Sequence, residues 1–412
     1  MMKRTDRLIR LTACLLCGFF LFLPLSGCTA PGQEQHPEAP EASPVNSETL
    51  SPASSPVPPS GDLIMFLNVG KADATVIRSS GEFYIVDTGT AESVPALFGA
   101  LHYLGADSVK AVFITHSHSD HVGGLNALLS HYRVETVYRS SVSFWKEGKQ
   151  NPADKAAAKA GMEAVLLSAG DTVGMGSANS VTVLGPLVLN TDDDNDNSLV
   201  LDLSIDGKRI MLAGDMQFAE EETLIERYGN SLKTDILRIG NHGNPDATGP
   251  AFAAAADPDI IVISTDRNAD TDSANERVLS LFEGKQILIT DESDMGFLIP
   301  LDGSGSAPEN VRHSTELDLV IVSVDKETQT ATIRNNGSDA DLSGCMLFSE
   351  KGNELFVFPD GAFLASGASC TVSGENGSGD YRWPGEKKPW NANKDDPALL
   401  FDSFGNLLSA VN

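Results

Sequence analysis

The stretch from residue 109 to residue 124, VKAVFITHSHSDHVGG, constrains the fold more than any other part of this chain. Its first seven residues form an apolar, β-rich run of the length of a buried strand. That run ends directly in His116, His118, Asp120 and His121. The alternation of a strand or the period of a helix would scatter these groups, whereas a loop at a strand end lets them face one point. Gly123 and Gly124 allow a tight turn, after which Leu125, Leu128, Leu129 and Tyr132 follow helical spacing. Imidazole and carboxylate together suit Zn²⁺, Mn²⁺ or Fe better than Ca²⁺. A lone histidine is usually structural, but four ligand-type residues in six positions predict a metal site.

The surrounding sequence alternates short apolar runs with helical patterns. LIMFLNV (63–69), ATVIRS (74–79) and FYIVDTG (83–89) are consecutive strand candidates, and 93–105 carries apolar residues at helical spacing up to Gly105. Further strands are VTVLGP, SLVLDLSI, KRIMLAG, ILRIG, IIVIST and QILIT, with a helix over 218–228. This density of mixed elements predicts a layered α/β domain over 62–304. LDGSGSAPEN (301–310) is a linker by composition. Beyond it, over 314–412, short strands separated by Gly, Asn and Asp turns predict a small all-β sandwich.

The beginning of the chain reads differently. Lys3, Arg4, Arg7 and Arg10 precede an apolar run, Leu11 to Leu25, too short to span a bilayer. It closes in Leu25-Ser26-Gly27-Cys28, which resembles the lipobox of bacterial lipoproteins; residues 1–27 are then a signal peptide and Cys28 carries lipid. Residues 28–61, rich in Pro, Ser, Ala and Glu, predict an extended tether that cannot offset its ordering entropy. Without the leader the chain has 25 basic against 56 acidic residues, a formal charge of −31. Such a protein repels polyanions unless a local patch reverses the sign. Residues 133–159 are the one candidate, with six Lys and Arg against three carboxylates, read as a solvated helix face or a phosphate-attracting flank. TDDDNDNS (191–198) lacks the glycine and glutamate of a calcium loop and reads as a solvated turn. Cys345 and Cys370 leave a disulfide open.

The H-x-H-x-D-H motif followed by Gly-Gly resembles the metallo-β-lactamase fold superfamily. FLNVGKADATVI, FYIVDTG, NDNSLVLDL, IMLAGD and ILRIGNHGN, in this order, narrow the resemblance to the extracellular domain of the ComEC type of competence DNA-uptake channel. It covers roughly residues 62–300 and implies an αββα sandwich. It further implies two divalent metal ions, Zn²⁺ or Mn²⁺, on His116, His118, Asp120, His121, Asp215 and His242. Asp87 would support the ligand loop. A hydroxide shared by the two ions would be the nucleophile, with Asp120 orienting it and His242 donating to a leaving oxygen. The substrate class implied is DNA or a nucleotide-like phosphodiester.

The sequence departs from that pattern at Asn68, at Lys71-Ala72-Asp73, at Asn241 and near Ser273, where a further histidine is missing. One ion is therefore expected on His116, His118 and Asp215. The second would rest on Asp120, His121 and the bridging Asp215, with Asp266, Asp270 or Asp272 as substitutes. A surface binding module with a decayed site and a hydrolase of another ester or lactone stay open beside the phosphodiesterase. Residues 314–412 resemble the lamin tail domain, an immunoglobulin-like sandwich, on IRNNG, DLSGCML, FPDGAFLASG and PWNANKDDPALLFD. This implies an accessory module for substrate or cell envelope. Trp383 and Trp390 read as core residues rather than a binding edge.

Overall fold

The strand β1 (Leu63–Leu67) is apolar at every position and buried at every position, which places it between two packed layers. The computed structural model describes residues 60–412 except 147, 302 and 304–306; the signal peptide, Cys28 and the tether up to 59 lie outside the described residues. β1 pairs antiparallel with β2 (Ala74–Ser79), and β2 with β3 (Glu82–Thr88). Helix α1 (Val94–Leu104) then returns the chain, so that β4 (Ser108–Ile114) lies parallel to β3. Two short helices, α2 (Ser119–Val122) and α3 (Leu125–His131), lead to β5 (Arg133–Ser140), parallel to β4. The basic stretch is thus not one helix. It is a strand, a loop and the helix α4 (Pro152–Lys159).

After β6 (Val165–Leu167) the chain crosses to a second sheet. There β7 (Thr172–Gly174), β8 (Ser180–Gly185), β9 (Val200–Ile205) and β10 (Lys208–Leu212) run antiparallel. Helix α5 (Phe218–Tyr228), α6 (Pro250–Ala256) and the single turn α7 (Glu276–Leu279) connect the parallel strands β11 (Ile236–Arg238), β12 (Ile260–Ile263) and β13 (Gln286–Ile289). The chain then rejoins the first sheet as β14 (Gly296–Pro300) and β15 (Glu309–Val311), so strand pairing continues into the segment read as a linker. Ile64, Phe66, Phe113, Leu201, Ile210 and Val262 fill the space between the sheets. Alpha helices cover the outer faces, α1 and α3 on the first and α5 to α7 on the second. The result is an αββα sandwich.

The remainder, from Leu319 to Val411, is all β. One four-stranded sheet contains Leu319–Asp325, Thr330–Asn335, Ser369–Gly374 and Tyr381–Trp383. A second contains Glu354–Val357, Met346–Ser349, Ala398–Phe401 and Leu407–Val411. Their inner faces pack as an immunoglobulin-like sandwich. Trp383 and Trp390 are each 1% exposed and meet edge to face in its core. Cys345 and Cys370 are buried there as free thiols.

The sandwich is seated on the α/β layer. Met346, Phe348 and Leu355 share a hydrophobic cluster with Phe98 and Leu101 of α1. Gly99 lies so close to the Phe404–Gly405 backbone that a Cβ would stand 2.1 Å from the Phe404 carbonyl oxygen. The Phe404 ring stacks on His313 and meets His102 edge to face.

Candidate metal centre

Loops at the ends of adjacent parallel strands carry polar groups into one buried space, the common place for a site in such a sheet. The end of β3 supplies Asp87, and the loop after β4 supplies His116, His118, Asp120 and His121. The ends of β10 and β11 supply Asp215 and His242, and the β1–β2 loop brings Lys71 and Asp73.

Four residues, Asp73, His121, Asp215 and His242, are buried and place one ligand atom each within 4.8 Å of the others. His121 Nε2 lies 3.2 Å and His242 Nε2 lies 3.4 Å from Asp215 Oδ2. His242 Nε2 is also 3.6 Å from Asp120 Oδ2. On the other side, His116 Nε2 lies 3.9 Å from the same Asp215 oxygen and 3.0 Å from His118 Nδ1. The six expected ligands therefore gather around Asp215.

The densest donor set is Asp73, His121, Asp215 and His242, with Asp120 beside His242, where the sequence pattern favoured His116, His118 and Asp215. Nor do the substitute carboxylates reach it. Asp266 and Asp270 accept hydrogen bonds from Asn268 and Asp272 within their own loop, and Asp272 is exposed. Ser273 bonds Thr265 at 2.6 Å. Asn241 turns its amide to Asp246.

The donors fit a cation. His121 Nε2, His242 Nε2 and Asp215 Oδ1 are buried without a hydrogen-bond partner. Each such atom costs about 1–3 kcal/mol, so three in one space are best explained by a shared positive centre. Both imidazoles are held with Nε2 inward. Asp87 accepts from His121 Nδ1 at 2.8 Å, and the Ser264 carbonyl accepts from His242 Nδ1 at 2.8 Å. Neither acceptor can donate, so each Nδ1 carries a proton and Nε2 is the nitrogen left to ligate a cation. Asp87 also accepts from Thr115 N–H and Oγ1–H, fixing the first residue of the ligand loop.

Electrostatics agree with this demand for positive charge. Burial opposes charge on His121 and His242, yet Asp215 and neighbouring carboxylates outweigh it and hold both above the ordinary imidazole value, and the proton this favours on Nε2 is the one a bound metal ion would displace. Burial, reinforced by His121, keeps His116 well below it, neutral and able to ligate.

Four further residues matter to which the sequence reading gave no role in the site. Asp73 stands within the cluster and accepts from Arg238, whose guanidinium also donates to Gly214 O and lies 3.8 Å from Asp215 Oδ1. A charged residue inside the apolar strand ILRIG was the available signal. Lys71 reaches Asp120 Oδ2 at 3.2 Å at the half-exposed mouth. The acidic run 191–198 is not only a solvated turn: buried Asp194 accepts from Ser117 N–H and Oγ–H, Ser143 Oγ–H and Phe144 N–H. It ties the residue between His116 and His118 to the loop before α4.

Residues 67–265 match the family model described as the metallo-beta-lactamase superfamily. ComE operon protein 3 of Bacillus subtilis is 27% identical over 185 residues, 45% of this chain and 24% of that protein. Recombination protein 2 of Haemophilus influenzae is 26% identical over 207 residues, 49% of this chain and 24% of that protein. The chain thus spans about a quarter of the length of these relatives. Among solved structures, the metallo-beta-lactamase fold protein YhfI from Bacillus subtilis aligns with a TM-score of 0.40 at 12% identity, covering 58% of this chain and 99% of that one. The αββα layer carries the metallo-β-lactamase fold, and its matched relatives are of the competence-protein type.

Proposed function

We propose that this protein is a metal-dependent phosphodiesterase acting on nucleic acid or nucleotide-like diesters, held at the outer face of a cell membrane by lipid on Cys28. The observation that carries the reading is the inward convergence of the unpaired His121 Nε2, His242 Nε2 and Asp215 Oδ1. The names of the competence and recombination relatives support the substrate class.

His121, Asp215, His242 and Asp120 would hold one divalent ion, Zn²⁺ or Mn²⁺, and His116 and His118 with Asp215 a second. Such ions supply Lewis acidity toward a phosphoryl oxygen and lower the pKa of water. The protein's own groups divide the remaining work. His118 and Asp120 are half-exposed and face incoming substrate, whereas His116, His121 and His242 are buried. With Nδ1 bound to Ser264 O, His242 has only Nε2 left, so it serves as a ligand rather than as proton donor to the leaving oxygen. Lys71, at the mouth, is placed to neutralise a phosphate and to supply that proton. Arg238 balances Asp73 and keeps the carboxylate density from repelling an anionic substrate. The β sandwich is read as a lamin tail module that meets nucleic acid or the envelope.

A second reading, a binding module with a decayed centre, draws on the turn of Asn241 toward Asp246 and on Lys71 sitting on Asp120. Elemental analysis of residues 28–412 with His121→Ala and Asp215→Ala, alongside bis-p-nitrophenyl phosphate turnover, separates the two. Bound metal with turnover lost in both variants is the expected result. Turnover absent from the native chain in added Zn²⁺ and Mn²⁺ would leave the binding module.

A further inference from the structure

A groove opens beside the ligand loop. Its wall includes Ser117 and Ser119, on either side of His118, then Trp145, and then Lys155 and Lys159 of α4, around about 510 Å³. It shares Asn126 and Lys159 with a second groove that runs along the seam to Gly352 and Glu354 of the β sandwich. That groove in turn shares Gly352 and Glu354 with a third depression, rimmed by Lys326, Lys351, Lys388 and Lys394. One continuous surface track thus leads from the metal loop across the seam onto the tail module.

Charge along the track opposes that of the chain. Six lysines line it against four carboxylates, Glu327, Glu354, Glu386 and Asp396, in a protein of formal charge −28. Asp396 is 1% exposed and spent on Ser349 Oγ–H and the N–H groups of Lys351 and Asn391. Of the basic stretch read from sequence, Arg139 is neutralised by a bidentate pair with Asp154 and Arg133 faces Glu135. Lys155 and Lys159, by contrast, remain on the groove. Near the metal loop the track also has an aromatic surface, Trp145, with Lys146 Nζ 5.1 Å from its ring centre. An aromatic ring among lysines suits a polymer that carries phosphates and flat bases.

We infer that this track binds single-stranded nucleic acid, with a base stacked on Trp145 near the metal loop and the strand's phosphates carried onto the tail-module lysines. The inference rests on the phosphodiesterase reading, which it sharpens by naming the substrate and by making the β sandwich part of the substrate path.

The test uses residues 28–412 and a fluorescent 30-nucleotide single strand, followed by anisotropy over a salt series in EDTA, where no cleavage occurs. Lys351→Gln/Lys388→Gln/Lys394→Gln should weaken binding at least tenfold and flatten the slope of log K against log salt by about 2, at roughly 0.7 per phosphate contact. Trp145→Ala should weaken binding to the oligonucleotide and leave the affinity for inorganic polyphosphate itself unchanged, so that polyphosphate displaces the strand more easily from the variant than from the native chain. With metal restored, the ratio of oligonucleotide to bis-p-nitrophenyl phosphate turnover should fall in the triple variant. Native-like affinity and salt slope in that variant would overturn the inference, as would polyphosphate displacing the strand equally well with and without Trp145. Binding lost in the variants while the native chain hydrolyses neither substrate would uphold the track and reject the phosphodiesterase.

Discussion

Asp87 offers a clean test of how the ligand loop is set. Its carboxylate accepts three hydrogen bonds, from Thr115 N–H at 2.8 Å, Thr115 Oγ1–H at 2.7 Å and His121 Nδ1–H at 2.8 Å. The residue has φ of 56°, in the left-handed region. Asn tolerates that region as well as Asp does, so Asp87→Asn leaves the backbone preference in place and changes only the acceptor count. An amide has one acceptor oxygen, and its NH₂ must then face either Thr115 or His121 Nδ1. If it faces His121, the imidazole shifts its proton to Nε2, the atom aimed at Asp215. The lone pair needed for a metal is lost in that tautomer. Outer partners of this kind are worth about 10- to 100-fold in metal affinity, or about 1.4–2.8 kcal/mol.

The expected outcome for Asp87→Asn is a Zn²⁺ dissociation constant raised by about that factor, read by competition with a chromogenic chelator. Circular dichroism should stay unchanged. Asp87→Ala should lose affinity too, with an added stability loss from two unpaired buried donors at Thr115. An Asp87→Asn protein that binds Zn²⁺ as tightly as the native chain would refute the claim that Asp87 holds His121 as a ligand.

Three other outcomes follow from the packing. Gly99→Ala places a Cβ 2.1 Å from the Phe404 carbonyl oxygen, at least 0.9 Å inside the nearest tolerated approach, and the neighbour is backbone that cannot rotate away. Overpacking of up to about 3 kcal/mol outweighs about 1 kcal/mol of helix propensity, so the melting temperature should fall by a few degrees and proteolysis near residue 317 should quicken; a rise would refute the seating of the sandwich on α1. Burial pushes the Glu221 carboxyl up to about 7, above its unfolded value of 4.5, although Thr248 and Gly249 N–H donate to it. The folded state therefore keeps the proton longer, and this group's contribution to stability is lost as pH rises from about 4.5 to about 7, on the order of 3 kcal/mol. Urea midpoints should show Glu221→Gln gaining on the native chain from pH 5 to pH 8, and a constant difference would count against it. Burial also raises the Cys345 thiol to about 12 and the Cys370 thiol to about 11. In the chain of residues 28–412, Ellman's reagent should thus leave Cys345 and Cys370 unreacted while the protein is folded and find both after denaturation; both reacting at once would mean an open sandwich.

Local signals made much of the architecture legible. The run 109–115 appears as β4 because a β-rich apolar segment of seven residues between polar stretches has few other ways to be buried. Helix α5 spans the residues its pattern indicated, with Leu224 buried in the cluster that covers the second sheet. Strand β5 was missed since RVETVYRS alternates charge with half-buried positions at a place where one helical face was also available. Its parallel pairing between the neighbouring strands β4 and β6 decides the matter.

The metal centre shows the same limit in sharper form. Contiguous residues announce themselves, so His116, His118, Asp120 and His121 stand out as a motif. Asp73, Arg238 and Asp194 are single residues whose meaning depends on loops meeting across more than 70 positions. Each is also a charge that an isolated reading assigns to the surface. Burial reverses that assignment: Asp73 is 4% exposed, Arg238 3% and Asp194 4%. A buried charge is tolerable only when paired or spent on hydrogen bonds. Asp194 meets that condition by holding Ser117, and so fixes the spacing of His116 and His118 from outside the motif. Asp73 and Arg238 meet it through each other, leaving Asp215 without a full partner. The carboxylate that remains under-neutralised is the one toward which the buried histidines turn, which is why the pairing of Arg238 with Asp73, rather than with Asp215, keeps the centre open to a cation.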